Sequence, residues 1–174
     1  MWAFVGVFFS EFFALRGAAE PRALALGGFV AFAVIGVGAA GSVLAGAWAD
    51  RLGRERIAMW AMAASGACAL GIGWTLHAPA YVAVALAVVW GFAVVADSAQ
   101  FSALVTEVAP PHAVGTALTL QTALGFLLTM VTLSAVQPLR DAGGWPLAFG
   151  ILALGPAAGI AAMRRLRTVR IRHD

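Results

Sequence analysis

The sequence predicts an all-α integral membrane protein, a bundle of six transmembrane helices. Three observations carry that reading. Of 174 residues, 62% are hydrophobic and only 11% are charged, against about 25% charged in an ordinary soluble domain. The apolar residues fall into runs close to the ~20 needed to cross a hydrocarbon core. Turn-forming and charged residues are gathered in short stretches between those runs. A membrane β-barrel would instead show alternating segments of roughly ten residues, and the sequence has none.

The first apolar run covers residues 2–15, interrupted by Ser10 and Glu11. At 1.5 Å per residue it reaches only about 21 Å, short of the ~30 Å core, so this helix is expected to begin upstream of Met1. Glu11, near its outer end, is expected to reach interfacial water. Arg16 to Arg22 form a short polar loop with Glu20 and Pro21. A second helix is expected over 23–49, rich in Ala and carrying Gly27, Gly28, Gly36, Gly38, Gly41 and Gly46. In lipid, small residues let helix backbones approach and gain van der Waals contact. A third helix covers 57–76 and ends at His77 and Pro79, with His77 at a water boundary.

A fourth runs over 81–108 and is closed by Pro110 and Pro111, because proline lacks an N–H and disfavours helix at the residue before it. A fifth covers 113–136, ended by Pro138, Arg140, Asp141, Gly143 and Gly144. The sixth covers 146–163, with a proline kink expected at Pro156. A basic tail follows over 164–174. The single cysteine, Cys68, excludes a disulfide framework and reads as a small packing residue. The N-terminus lacks the basic region of a cleaved signal peptide.

All eleven basic residues are Arg. With six spans, Arg51, Arg54, Arg56 and the five arginines of the tail share one face with both termini. Arg16, Arg22 and Arg140 occupy the other. The richer face belongs in the cytoplasm by the positive-inside rule, so both termini are expected there. That same arrangement accounts for the basic balance without nucleic acid.

The stretch Gly46 to Arg56 holds five charges in seven positions, between two apolar runs. It reads as a tight hairpin between the second and third helices. Gly53 permits the positive φ of a sharp reversal. Asp50, near a helix C-terminus, opposes the local dipole and needs a cation or the N-terminus of another helix. Arg51, Arg54 and Arg56 can supply forked hydrogen bonds to it. On spacing alone, a simple topogenic loop explains the stretch equally well.

The pattern Gly46, three residues, then Asp50-Arg51-x-Gly53-Arg54-x-Arg56 resembles the signature loop of the major facilitator superfamily of transporters. Trp90-Gly91, the segment Ala96 to Ser102, Glu107, Pro110 and Gly115-Thr116-Ala117 resemble the C-terminal half of bacterial members. The resemblance covers nearly the whole chain and departs from the pattern at Glu55, a position often basic. It implies one six-helix half of a major facilitator fold. It also implies that Gly46, Asp50, Arg51, Gly53, Arg54 and Arg56 form a cytoplasmic gating loop, a charge latch closed in the outward-open state. Full members carry two such halves, so the implied partners are a missing N-terminal half or a second copy, beside the lipid bilayer and a small-molecule solute.

Ionisable residues within a span are costly and mark functional positions by default. Asp97, well inside the fourth helix, is the leading candidate. Gln100 lies about one turn on, and Ser98 with Ser102 makes an adjoining stripe. Gln121, Gly125, Thr129 and Thr132 share one side of the fifth helix. Asp97, Gln100, Gln121 and Thr129 are the candidate translocation pathway; for each, a hydrogen bond to a neighbouring helix is the alternative role.

No enzyme motif is present. An intramembrane serine protease needs Gly-x-Ser-Gly with a membrane histidine, and a zinc site needs clustered His, Cys or carboxylates; the three histidines are scattered. No catalytic, metal or cofactor residue is expected, and no nucleotide motif points to ATP. The expected function is secondary or facilitated transport of a small solute by alternating access. The competing class is a non-transporting membrane protein, either a truncated product or an assembly partner for another half. The all-Arg, Ala-rich composition points to a GC-rich bacterial genome and hence an inner membrane.

Overall fold

The computed structural model describes the backbone of residues 1–171 and the side chains of residues 1–165. Within the described residues the chain is helical apart from short connections, with no strand. Helix α1 is Trp2–Ala14, α2 is Glu20–Leu52, α3 is Arg54–Ile72 and α4 is Ala80–Val108. Helix α5 is Val114–Gly150 and α6 is Leu154–Ile171, with 3-10 turns at Gly73–His77 and Ile151–Ala153. Arg172, in the expected basic tail, lies outside the described residues, and the earlier part of that tail continues α6.

Helix α2 starts earlier than its apolar run. Pro21 falls in the first turn, where its missing N–H is no loss, and Glu20 sits where the helix dipole favours an anion. Gly53 alone separates α2 from α3: its φ is 92° and its N–H donates to the Ala49 carbonyl. The expected hairpin is therefore a one-residue turn. Helix α4 stops at Ala109, which is extended ahead of Pro110 as that proline requires.

The expected end of the fifth helix at Val136 is corrected. The helix passes through Pro138 and breaks instead at Gly143 (φ −144°) and Gly144 (φ 69°). A proline removes one hydrogen bond and bends a membrane helix without having to stop it; a positive-φ glycine does stop it. Leu128 and Gly155 line the same cleft although 27 residues apart in sequence, a separation of about 40 Å in a straight helix. The two limbs therefore lie side by side. The 3-10 turn at Ile151–Ala153 lies just ahead of Pro156, whose ring crowds the carbonyl of Leu152.

Among the described residues, four helical stretches are long and apolar enough to cross a membrane: Glu20–Leu52, Arg54–His77, Ala80–Val108 and Val114–Arg165. The last contains the Gly143–Gly144 break, and α1 is shorter, at 13 residues. Helix length alone thus gives four spans.

Helix α2 packs most closely against α4 and α1. A Cβ on Gly41 would lie 2.5 Å from the Phe92 carbonyl oxygen, and one on Gly27 would lie 2.7 Å from the Gly6 carbonyl oxygen. Only glycine admits backbones this close. The main core joins Phe8, Phe9 and Phe12 of α1 to Trp90 of α4 and to Trp145 and Phe149 beyond the break. Cys68 is a free, buried thiol within it. By contrast α5 is exposed at nearly every position from 119 to 134, including Leu120, Leu124, Phe126, Leu127 and Met130.

Candidate gating loop and membrane-embedded polar residues

The hairpin brings two of its expected charges together and adds a third from elsewhere. Arg54, the first residue of α3, donates from Nη2 to Asp50 Oδ1 at 3.1 Å and from Nε to Glu107 Oε1 at 2.5 Å. One guanidinium thereby joins the end of α2, the start of α3 and the end of α4. The three side chains are 29%, 66% and 43% exposed in that order, so each isolated pair contributes little, at most about 1 kcal/mol. They line a cleft of about 350 Å³ with Ala49, Gly53, Glu55 and Leu104.

Arg51 and Arg56 are exposed. A Cβ on Gly46 would meet no atom within 4 Å, so packing among the described residues does not require glycine there. Glu107 was absent from the sequence-derived latch because 53 residues separate it from Arg54.

The four candidate pathway residues do not share one site. Asp97 is half-buried on α4, and its Oδ1 lies 3.1 Å from Ser98 Oγ. Gln100 is 1% exposed, between Ala96 and Leu104 on the α4 face that packs on α3, and its Oε1 has no hydrogen-bond partner. Gln121 of α5 donates from Nε2 to Ser102 Oγ at 3.4 Å, and its own Oε1 is likewise buried without a partner. Thr129 lies apart, with Thr132, in a cleft of about 400 Å³ shared with Met1, Phe4, Ile151 and Leu154.

The hydroxyl groups of α5 bond back along their own helix. Thr119, Thr122, Thr129 and Thr132 donate to the carbonyls of Gly115, Leu118, Gly125 and Leu128, at 2.7–2.9 Å. This pattern satisfies a hydroxyl in an apolar setting and consumes its only hydrogen.

A second charged cluster was missed in the sequence. Glu11, expected to meet interfacial water, accepts from Arg140 Nη2 at 2.5 Å and from Trp145 Nε1 at 3.0 Å. Arg140 precedes the Gly143–Gly144 break and Trp145 follows it, so one carboxylate oxygen ties α1 to both sides of the reversal. The Arg140 guanidinium also lies 4.7 Å from the Trp145 ring centroid. Nearby, Arg16 donates to the carbonyls of Phe12, Leu76 and Ala78. These carbonyls stand at the ends of α1 and the Gly73–His77 turn, where backbone acceptors lack helical partners. Glu11 and Arg140 stand 129 residues apart, and no local pattern announces the pair.

Among the described residues no group of three or more His, Cys, Asp or Glu could hold a metal ion. The arrangement offers hydrogen bonds and charge switching at helix ends, in an otherwise apolar frame. A family model described as "Sugar (and other) transporter" matches residues 3–168. No curated protein and no solved structure matches the chain.

Proposed function

The chain belongs to the sugar (and other) transporter family, and on that premise we propose that it forms one six-span half of a twelve-helix transporter working by alternating access. Membership makes it a transporter rather than an enzyme, and its apolar helices make it an integral membrane protein that meets lipid and a small solute. In the proposed topology, α1, α2, α3, α4 and the two limbs of the 52-residue stretch each form a span.

The observation that carries the reading is the Arg54 bridge. A gate needs contacts that are specific in geometry yet weak enough to exchange, since a ligand moves an equilibrium only by its differential affinity for the two states. Partly exposed ion pairs joining three helix ends meet both conditions. Asp50, Arg51, Gly53, Arg54 and Arg56, with Gly46 one turn earlier, form the cytoplasmic gating loop, and Glu107 is its receiving carboxylate. The arginine-rich face supports a cytoplasmic position for this end and for both termini, in a bacterial inner membrane.

Asp97, Gln121 and Thr129 contribute this half's share of the translocation pathway, and Gln100 supports it from behind α4. The exposed length of α5 supports a partner across the pathway: the complementary half, or a second copy.

The test is accessibility from each side of sealed vesicles containing the full chain. In a Cys68→Ala background, Thr129→Cys is expected to react with a membrane-impermeant maleimide from both sides. Adding Arg54→Ala is expected to raise labelling from the hairpin side and lower it from the other. Labelling confined to one side in both variants would sink alternating access.

A further inference from the structure

We propose that a groove at the hairpin end of the bundle binds an anionic phospholipid, its phosphate held by Arg51 and Arg56 and an acyl chain lying between Trp48 and Trp60. The inference goes beyond transport and stands on the membrane character of the chain alone. The groove has a volume of about 190 Å³ and forms where α2, α3 and α4 meet. Buried Ala93 and Ala96 lie at its floor, with Trp48 and Trp60 at its rim. Among the described residues, every one that lines it is apolar. The two indoles are 50% and 62% exposed, a large apolar area left open beside a charged turn. They stand about 8 and 10 Å along their helices from Gly53, the boundary level at which tryptophan concentrates in membrane proteins.

The charges of the hairpin are sorted about this groove. At about 100° per residue, Arg51 lies about 60° around α2 from Trp48, and Arg56 about 40° around α3 from Trp60. Asp50 lies about 160° from Trp48, and Glu55 about 140° from Trp60. Those two acids line a separate cleft, with Arg54 and Glu107. Arg51 and Arg56 each stand one turn nearer the hairpin than the tryptophan on their own helix. Both are exposed, and neither joins the three ion pairs of the described residues. Two such guanidiniums beside an apolar groove match one molecule that carries a phosphate and an acyl chain. Guanidinium forks fit phosphate oxygens. A choline headgroup brings its own cation to the phosphate, so the charge balance favours phosphatidylglycerol. Among the described residues only Trp90 and Trp145 use their indole N–H, which leaves those of Trp48 and Trp60 open to the ester carbonyls of the lipid.

Tryptophan quenching in bilayers tests this on the full chain. The chain is placed in phosphatidylcholine vesicles that contain a small fraction of either phosphatidylglycerol or phosphatidylcholine brominated in its acyl chains. Brominated phosphatidylglycerol is expected to quench more than brominated phosphatidylcholine at equal fraction. The excess is expected to vanish in the double variant Trp48→Phe, Trp60→Phe. In the double variant Arg51→Gln, Arg56→Gln, the fraction needed for half-quenching is expected to rise about thirtyfold, from the lost attraction of two arginines to an anionic lipid. Arg22→Gln, the same change of charge outside the hairpin, is expected to leave the excess in place. Equal quenching by the two lipids in the parent chain overturns the site without any variant. So does an excess that survives either double variant, or one that Arg22→Gln removes as fully. No transport is read, so alternating access and the lipid site can each fail alone.

Discussion

Arg54 Nε stands 2.5 Å from Glu107 Oε1, and this contact joins the turn after α2 to the last turn of α4. It couples the two chain segments that flank the polar stretch of α4, and it does so at a partly exposed site where its formation and rupture are close in energy.

Glu107→Gln is expected to cost about 1 kcal/mol or less in stability and to change transport more than that figure suggests. Thermal unfolding in detergent and solute uptake into vesicles, measured on one preparation, separate the two effects. A variant as active as the parent would remove the bridge from the gate.

Gly53→Ala is expected to destabilise the chain by about 1–3 kcal/mol, because the backbone there is in a region that side chains rarely adopt. A Cβ at Gly53 meets nothing within 4 Å, so the strain is conformational alone. Gly46→Ala, with similar free space and ordinary helical φ, is the control and is expected to unfold at the parent temperature.

Glu11→Ala strands Arg140 and the Trp145 N–H together and is expected to cost about 1–3 kcal/mol. Glu11→Gln keeps an acceptor for Trp145 and is expected to recover part of that loss. Equal unfolding temperatures for the two variants would deny the Trp145 hydrogen bond any share.

Gly41→Leu is expected to separate α2 from α4 locally, since even its Cβ would lie 2.5 Å from the Phe92 carbonyl oxygen. Overpacking of this kind costs about 1–3 kcal/mol or more. Gly28→Leu, whose Cβ meets no atom within 4 Å, is expected to be tolerated in the same unfolding assay.

The helices and the hairpin were legible because charge is scarce here: where it gathers between two apolar runs, a helix ends within a few residues. Asp50, Gly53 and Arg54 could be singled out from their spacing for that reason. Glu107 and the Glu11–Arg140 pair could not, because their partners come from distant parts of the chain and only packing brings them together. Pro138 reads as a stop on rules that weigh a lost hydrogen bond heavily. In the structure the stop falls at Gly144, where φ is positive. Asp97 and Gln100 were grouped by a three-residue spacing, yet a three-residue step turns a helix by about 60° short of a full revolution. That rotation is enough to place Gln100 against α3 while Asp97 stays half-open.

Because Gly53 alone joins a 33-residue helix to a 19-residue one, the hairpin has no slack. Its two arms resemble the legs of a pair of compasses, and the backbone torsions at that residue act as the pivot. A longer connection would absorb a tilt of one leg; this one must hand it on. Any tilt between α2 and α3 therefore turns about a point beside Arg54, and the displacement it produces grows along each leg toward the opposite end.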